Sequence, residues 1–417
     1  MTITTTDIAR PFAGLRPAPN RANEIAAPPY DVVTSDEARA LAKHKPYSFL
    51  HVSRAEIDLP PDIDPYSEPV YVQAGQNLKV FEEQGVLIRD ASPAFYVYRM
   101  TKRDKVQTGV AFSASINAYL DNRIRKHELT RPQKENDRVR QIESVDAQTG
   151  PVLAIYRADR ELAEVLAHAA EKIPDAVVPE LHGVKHEMWV VSELQRIARI
   201  AERLNQMQSI YIADGHHRSA AAAIVEARRA ANTNHEGSDP YAGFLAVGFP
   251  DEEVTILDYN RLVRDLNGNK PRQFLLALER HFEATPSDEP VTPIAANTFG
   301  MYLDGRWYTL EPRAPLTEID PVEKLDVRVL DRLILEPLLG INDSRTDVRI
   351  DFVGGSRGPR GLSKRIDSGE MAIGFTLFPT SLADLLAVAD ANRIMPPKST
   401  WFDPKLADGL ISLPLNS

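Results

Sequence analysis

One stretch limits what this chain can become more than any other: Ser209-Ile-Tyr-Ile-Ala-Asp-Gly-His-His-Arg-Ser-Ala-Ala-Ala-Ala-Ile224. Ile210, Tyr211 and Ile212 are strand formers, Asp214-Gly215 is a turn pair, and His216 opens an alanine-rich run with strong helix propensity. A strand that turns into a helix here gathers Gly215, His216, His217, Arg218 and Ser219 around a helix N-terminus. Exposed N–H groups and the positive end of the helix dipole make that place receptive to anions. Arg218 adds a planar, two-pronged contact for phosphate oxygens, and the Ser219 hydroxyl is a further donor. Asp214 has three candidate roles: orienting a histidine, with His217 the catalytic candidate, holding Mg²⁺, or acting on a substrate hydroxyl. The plain alternative is that Asp214 caps the helix and the histidines sit on the surface. Zinc is disfavoured, because adjacent histidines do not share a helix face.

Composition removes several chemistries. The 417 residues contain no cysteine, which excludes disulfides, thiolate metal sites, cysteine nucleophiles and thiol redox chemistry. A formal net charge of −10 argues against affinity based mainly on nucleic-acid phosphates. The N-terminal ten residues are polar and Thr-rich, unlike a secretory signal, and apolar runs such as 241–249 are far shorter than a membrane span. A soluble, cytoplasmic protein of two or three domains, or of one large α/β domain with insertions, is expected, with neither membrane nor nucleic acid as partner and a homodimer left open.

Strand and helix signals alternate without a repeat. Helices are expected over 35–43, 70–84, 134–145, 162–171, 192–206, 219–229, 327–335 and 382–391, and strands over 94–100 and 107–120. Residues 299–310 predict a hairpin turning at Asp304-Gly305. Proline clusters at 58–69 and 285–293 read as connectors. The mixture points to an α+β (mixed α/β) fold rather than a doubly wound sheet.

A second informative stretch is 123–140, where Arg123, Arg125, Lys126, Arg131, Lys134, Arg138 and Arg140 outnumber Glu128, Glu135 and Asp137. Several cations on a loop between strand and helix can converge on a triphosphate, with Lys126, His127, Arg131 and Lys134 as candidate phosphate ligands. Glu128 is a candidate general base or metal ligand, with Asp137 and Arg138 as secondary candidates. The competing reading is a solvated loop of internal ion pairs.

Asp-Gly-His-His-Arg at a strand-to-helix turn resembles the nucleotide-binding signature of the ParB/sulfiredoxin-like superfamily. The wider pattern resembles the family catalogued as domain of unknown function 1015, carried by Arg10-Pro-Phe-Ala-Gly-Leu-Arg-Pro17, Pro28-Pro-Tyr-Asp-Val32, Lys126-His-Glu-Leu-Thr-Arg-Pro132 and Pro396-Pro-Lys-Ser-Thr-Trp-Phe402. The resemblance implies a ParB/sulfiredoxin-like core with inserted helices and strands at 1–265, and a C-terminal α+β region at 266–417. Relatives on this fold include enzymes that phosphorylate free L-serine, so it implies a kinase using ATP or ADP with Mg²⁺, with Asp214 the candidate metal ligand, and a hydroxy amino acid acceptor. Sulfiredoxin chemistry needs a cysteine where this chain has His216. A nucleotide-binding regulator or partitioning-type protein without metabolite turnover is the alternative, and a metal-dependent phosphatase or nuclease a third.

Four smaller signals complete the reading. Tyr30 and Asp31, in a rigid Pro-Pro turn, are candidate substrate contacts, as is Lys398 near the C-terminus. His51 reads as a packed histidine. Gly354-Gly-Ser-Arg-Gly-Pro-Arg-Gly361 is glycine-rich but fits neither a P-loop nor a Rossmann fingerprint, and reads as a flexible surface turn.

Overall fold

Phe95–Lys102 and Lys105–Ser115 carry strand-forming residues on both sides of a tight turn, and they pair antiparallel from Tyr96 opposite Ala111 to Lys102 opposite Lys105. This hairpin is the centre of a mixed nine-stranded sheet. The computed structural model describes residues 7–231 and 239–416, so the first six residues of the polar N-terminal stretch lie outside the described residues. The sheet runs in the order Ile124–Arg125, Ile210–Asp214, Val152–Tyr156, Gly243–Pro250, Lys105–Ser115, Phe95–Lys102, Val184–Val191, Ala176–Leu181, with Ala9–Arg10 also paired to Lys105–Ser115. Ile210–Asp214 is parallel to Ile124–Arg125 and antiparallel to Val152–Tyr156.

Phe95, Val97, Phe112, Phe244 and Ala246 on the sheet pack with Leu162, Leu166, Ile200 and Leu204 from helices Arg160–Ala169 and Leu194–Gln206. A second apolar cluster joins Ala38, Phe49, Leu50, Ala74, Leu78 and Phe81 to Val145 and Ala147. There helix Pro132–Val145 lies between helices Glu68–Glu83 and His216–Ala230. That packing brings the basic helix alongside the turn at Gly215.

The chain divides into two units. The first comprises 1–126, 130–254 and 404–417, and the second 127–129 and 255–403. The sequence-based division at 265/266 differs from this at both ends, for a pairing reason. Tyr259–Val263 hydrogen-bonds with Ile350–Gly354 and Ile373–Leu377, so it joins the second sheet. Leu413–Pro414 pairs with Ala147–Gln148, and Asp408 exchanges backbone hydrogen bonds with Ala27, so the last segment returns to the first unit. The second unit holds an antiparallel six-stranded sheet, Phe282–Ser287, Arg306–Pro312, Phe299–Leu303, Ile373–Leu377, Tyr259–Val263, Ile350–Gly354. Leu262, Trp307, Val353, Leu362 and Met371 pack on it. The fold is mixed α+β.

Most helix expectations fall within a few residues of the observed spans, and the hairpin turns at Asp304 and Gly305, both at positive φ. Three local expectations are corrected. The strand expected to reach Leu120 ends at Ser115, whose hydroxyl accepts from the Ala118 N–H and starts helix Ile116–Leu120. The glycine-rich stretch is not a flexible turn: after Gly355–Arg357 it enters helix Gly358–Asp367, with Pro359 in the first turn where its missing N–H costs nothing. The helix expected over 327–335 changes to a π turn at Asp331–Leu335. Among the described residues, no helix is long and apolar enough to cross a membrane.

Candidate functional site

Strand Ile210–Asp214 is buried except at its last residue, and Gly215 then takes φ +106°, ψ 26° before helix His216–Ala230 begins. Only glycine tolerates this position on two counts. The backbone is left-handed, and a Cβ would lie 3.1 Å from the Arg218 guanidinium and 3.2 Å from the Val152 Cα. The turn therefore seats Arg218 directly over the chain reversal.

Arg218 is held from several sides. Its Nη1 donates to the Pro151 carbonyl, and its Nη2 lies 3.6 Å from Asp214 Oδ1 and 3.9 Å from Asp31 Oδ2. Burial alone would lower this guanidinium, but Asp214, Asp31, Tyr30 and Asp408 outweigh it and raise its pKa. Asp214 Oδ2 in turn accepts from Lys405 Nζ at 2.6 Å. Both oxygens of Asp214 thus face cations, so the residue as placed does not fit the role of a magnesium ligand.

Behind Arg218 lies a cavity of about 30 Å³ lined by Tyr30, Ser53, Arg138, Gln148, Arg218 and Asp408, among others. The Arg138 guanidinium stacks 3.9 Å from the Tyr30 ring centroid, and its Nε and Nη2 donate to Asp137 Oδ2 at 3.0 and 2.8 Å. Asp137 Oδ1 accepts from the Tyr71 hydroxyl at 2.8 Å, which fixes the pair. Burial pushes the Tyr30 phenol up to about 12, with Arg138 opposing. Asp408 Oδ2 accepts from the Tyr30 N–H at 3.2 Å, while its buried Oδ1 has no hydrogen-bond partner among the described residues. Burial pushes the Asp408 carboxyl up to about 7, with Arg218 opposing and Asp31 adding.

The sequence candidates divide. Tyr30, Asp31, Asp214, Gly215 and Arg218 come together in the first unit, with Arg138 of the basic stretch. The other cations of that stretch take local partners instead. Lys126 Nζ donates to the Tyr119 carbonyl and lies 4.0 Å from its ring centroid, and burial lowers its pKa. Lys134 Nζ donates to the Tyr66 hydroxyl, and the exposed Arg131 serves as the N-cap residue of Pro132–Val145. The Arg131 N–H donates to His217 Nε2 at 3.1 Å, so that nitrogen carries no proton in this arrangement.

Ser219 is corrected: fully buried, its hydroxyl donates to the His216 carbonyl at 3.0 Å, back along the helix rather than outward to an anion. His216 is buried beside it in the first turn. His127, Glu128 and Lys398 belong to the second unit. There the His127 carbonyl accepts from the Met395 N–H, and Glu128 lines a cavity of about 240 Å³ with Arg328, Asp331, Glu336 and Arg345. Lys398 is exposed, 5.5 Å from the Tyr259 ring centroid.

Sequence reasoning missed Asp408, Ser53 and Lys405. Asp408 carried a signal: it is the one acidic residue in the apolar run Leu406-Ala-Asp-Gly-Leu-Ile411, just before Gly409 at φ +85°. An isolated carboxylate in such a run must find partners or stay neutral.

A model of the family described as a protein of unknown function (DUF1015) matches residues 9–328. The chain belongs to this family. That agrees with the motif resemblance: the blocks Arg10–Pro17, Pro28–Val32 and Lys126–Pro132 lie within that span, and Pro396–Phe402 lies beyond it. No curated protein matches it. Among solved structures, a free serine kinase in complex with AMP is similar at 11% identity, covering 70% of this chain and 86% of that one, TM-score 0.34. SbnI with a C-terminal truncation, from Staphylococcus aureus, is similar at 13% identity, covering 72% and 85%, TM-score 0.37. A conserved hypothetical protein from Pyrococcus furiosus is similar at 13% identity, covering 74% and 96%, TM-score 0.34. At these TM-scores the likeness is too distant to assign residues or an activity to this DUF1015 member.

Proposed function

We propose that this protein is a nucleotide-dependent phosphotransferase that moves a phosphoryl group from MgATP or MgADP to the hydroxyl of a free amino acid, L-serine first among candidates. The observation that carries the reading is the Gly215 turn, with Arg218 anchored over the N-terminus of a 15-residue helix. Phosphoryl transfer asks a protein mainly for positioning and for donors aimed at phosphate charge. The N–H groups of the first helical turn and the Arg218 fork supply both. The motif resemblance to kinases of free serine supports the acceptor class.

Asp214, paired with Lys405 and facing Arg218, is a positioning group for that fork in this reading. The divalent ion arrives on the nucleotide phosphates. His217, in the first turn of the same helix as Arg218, is the proposed base in this site.

The test is direct. Purified protein with MgATP or MgADP and L-serine is expected to form O-phosphoserine, read by ³¹P NMR and mass spectrometry. Saturable nucleotide binding without turnover, across a panel of hydroxy amino acids and with both donors, would replace this reading with that of a nucleotide-binding regulator.

A further inference from the structure

The cavity behind Arg218 has a chemical asymmetry that a phosphate site does not need. Two of its lining groups are buried polar atoms without hydrogen-bond partners, Asp408 Oδ1 and Ser53 Oγ. The residues are 1% and 7% exposed, so bulk water does not satisfy them. A buried acceptor left in this state costs about 1–3 kcal/mol. Such a cost is retained where a ligand removes it.

The volume indicates the size of that ligand group. About 30 Å³ admits one water-sized group, and a primary ammonium is of that size. The charges indicate its kind. Arg138 is paired to Asp137, and Lys405 to Asp214, each at hydrogen-bond distance. Arg218 lies beyond that distance from both Asp214 and Asp31. Among the described residues Asp408 has no ion pair at hydrogen-bond distance, so it is the carboxylate that an incoming cation would complete.

A lone cation would meet two guanidiniums, Arg138 and Arg218, and a lone anion would meet Asp408. A ligand bearing both charges a few bonds apart satisfies each at once. Arg138 uses Nε and Nη2 on Asp137, and Nη1 takes no part in that pair.

We propose that this cavity seats the α-ammonium of a free α-amino acid: Asp408 Oδ1 and Ser53 Oγ accept from it, and the Arg138 guanidinium on the cavity wall donates to the adjoining α-carboxylate. This rests on the acceptor class proposed above and names the residues that would recognise it. The acceptor side chain then extends past Arg218 toward the helix N-terminus. The subsite selects the zwitterion and is indifferent to the nucleotide.

The experiment measures L-serine binding by equilibrium dialysis, and initial rates with L-serine and with 3-hydroxypropionate, which keeps the carboxylate and hydroxyl but lacks the ammonium. Asp408→Asn, nearly isosteric, is compared with Ser53→Ala as a milder second variant, each after its thermal melt matches wild type to within a few degrees. Asp408→Asn is expected to weaken L-serine binding about thirtyfold or more, the scale for removing one partner of a buried charge pair. Ser53→Ala is expected to weaken it several-fold, as loss of one hydrogen bond to a charged group does. The nucleotide KM and the weak rate with 3-hydroxypropionate stay within twofold.

Unchanged L-serine affinity in both variants would overturn the subsite while leaving a measured phosphotransfer intact. A rise in nucleotide KM alone would overturn it too, by assigning the cavity to phosphate. L-serine binding that depends on Asp408 without any turnover would keep the subsite and remove the kinase reading. Absence of binding for every α-amino acid tried would overturn the subsite.

Discussion

Two strand-to-helix turns in this molecule look alike in sequence and do different work. One follows Ile210–Asp214 through Gly215, and the other follows Ile350–Gly354 through Gly355 and Gly358. The second is richer in glycine and carries two arginines, so by composition it is the better phosphate loop. In the structure Arg357 and Arg360 are exposed, and the glycines serve packing. A Cβ on Gly354 would meet the Trp401 ring, and one on Gly355 would collide with Asp258. At the first turn the glycine instead brings a buried arginine, with 12% of its side chain exposed, over the helix start. Each turn also has a carboxylate near it. The half-buried Asp258 Oδ2 accepts from Asn260 at 2.5 Å, whereas the buried Asp408 Oδ1 has no partner among the described residues. Glycine content alone does not make an anion site; what matters is which side chain the missing Cβ lets through.

The largest expected effect that would break this contrast is on turnover. Arg218→Lys keeps the charge but loses the fork, and should lower kcat/KM for phosphotransfer about 10²–10³-fold, as removal of one transition-state donor does. Arg357→Lys should change it less than about twofold. Equal losses at both turns would erase the distinction.

The next effect concerns protons. The Asp408 carboxyl sits at about 7 when folded, among Arg218, Asp31 and Arg138, against an ordinary 3.8. The folded chain therefore binds this proton more tightly than the unfolded chain. The stability from this group is full below about pH 4 and is lost as pH rises through about 7, a change of up to a few kcal/mol. Urea midpoints between pH 4 and 8 should fall with pH more steeply in wild type than in Asp408→Asn. A parallel pair of curves would show that Asp408 ionises as it does in the open chain.

Substitution of the glycines sharpens the comparison further. Gly215→Ala and Gly358→Ala each force an unfavourable backbone, at φ +106° and +59°, and each should cost about 1–3 kcal/mol in denaturant melts. Only Gly215→Ala should also abolish nucleotide binding, because its Cβ presses on the Arg218 guanidinium, while a Cβ at Gly358 meets nothing within 4 Å. The smallest effect belongs to Lys405→Met. Its pair with Asp214 is partly exposed, so the stability loss should be no more than about 1 kcal/mol. The nucleotide KM should still rise as Asp214 swings toward Arg218.

Much of the local architecture was legible from particular residues. Asp304-Gly305 specified its hairpin turn, and the helix expected to start at 35 does so, although it is the structure that shows Thr34 and Glu37 forming its capping box. Gly215 followed by an alanine run specified the central turn. Local signals failed where one residue type serves two states. Ser115 ends a strand of β-formers by capping a helix, and Ser219 looks like an anion donor until helix geometry turns its hydroxyl onto His216. Among the cations of 123–140, composition could not separate Arg138, which reaches the cavity, from Lys126 and Lys134, which lie on tyrosines. On a helix that choice depends on which face meets the neighbouring elements.

The sequence by itself determined the turn at Gly215, the placement of Arg218 at a helix start, and, through the absence of cysteine, a chemistry without sulfur. These follow from short-range steric rules and residue inventory. Only the tertiary structure decided which groups meet Arg218. The Tyr30 N–H and Asp408 Oδ2 are bonded across 378 positions, because the final segment pairs with Ala147–Gln148 and exchanges hydrogen bonds with Ala27. Strand pairing and core packing set such contacts, and no local pattern encodes a partner so far along the chain.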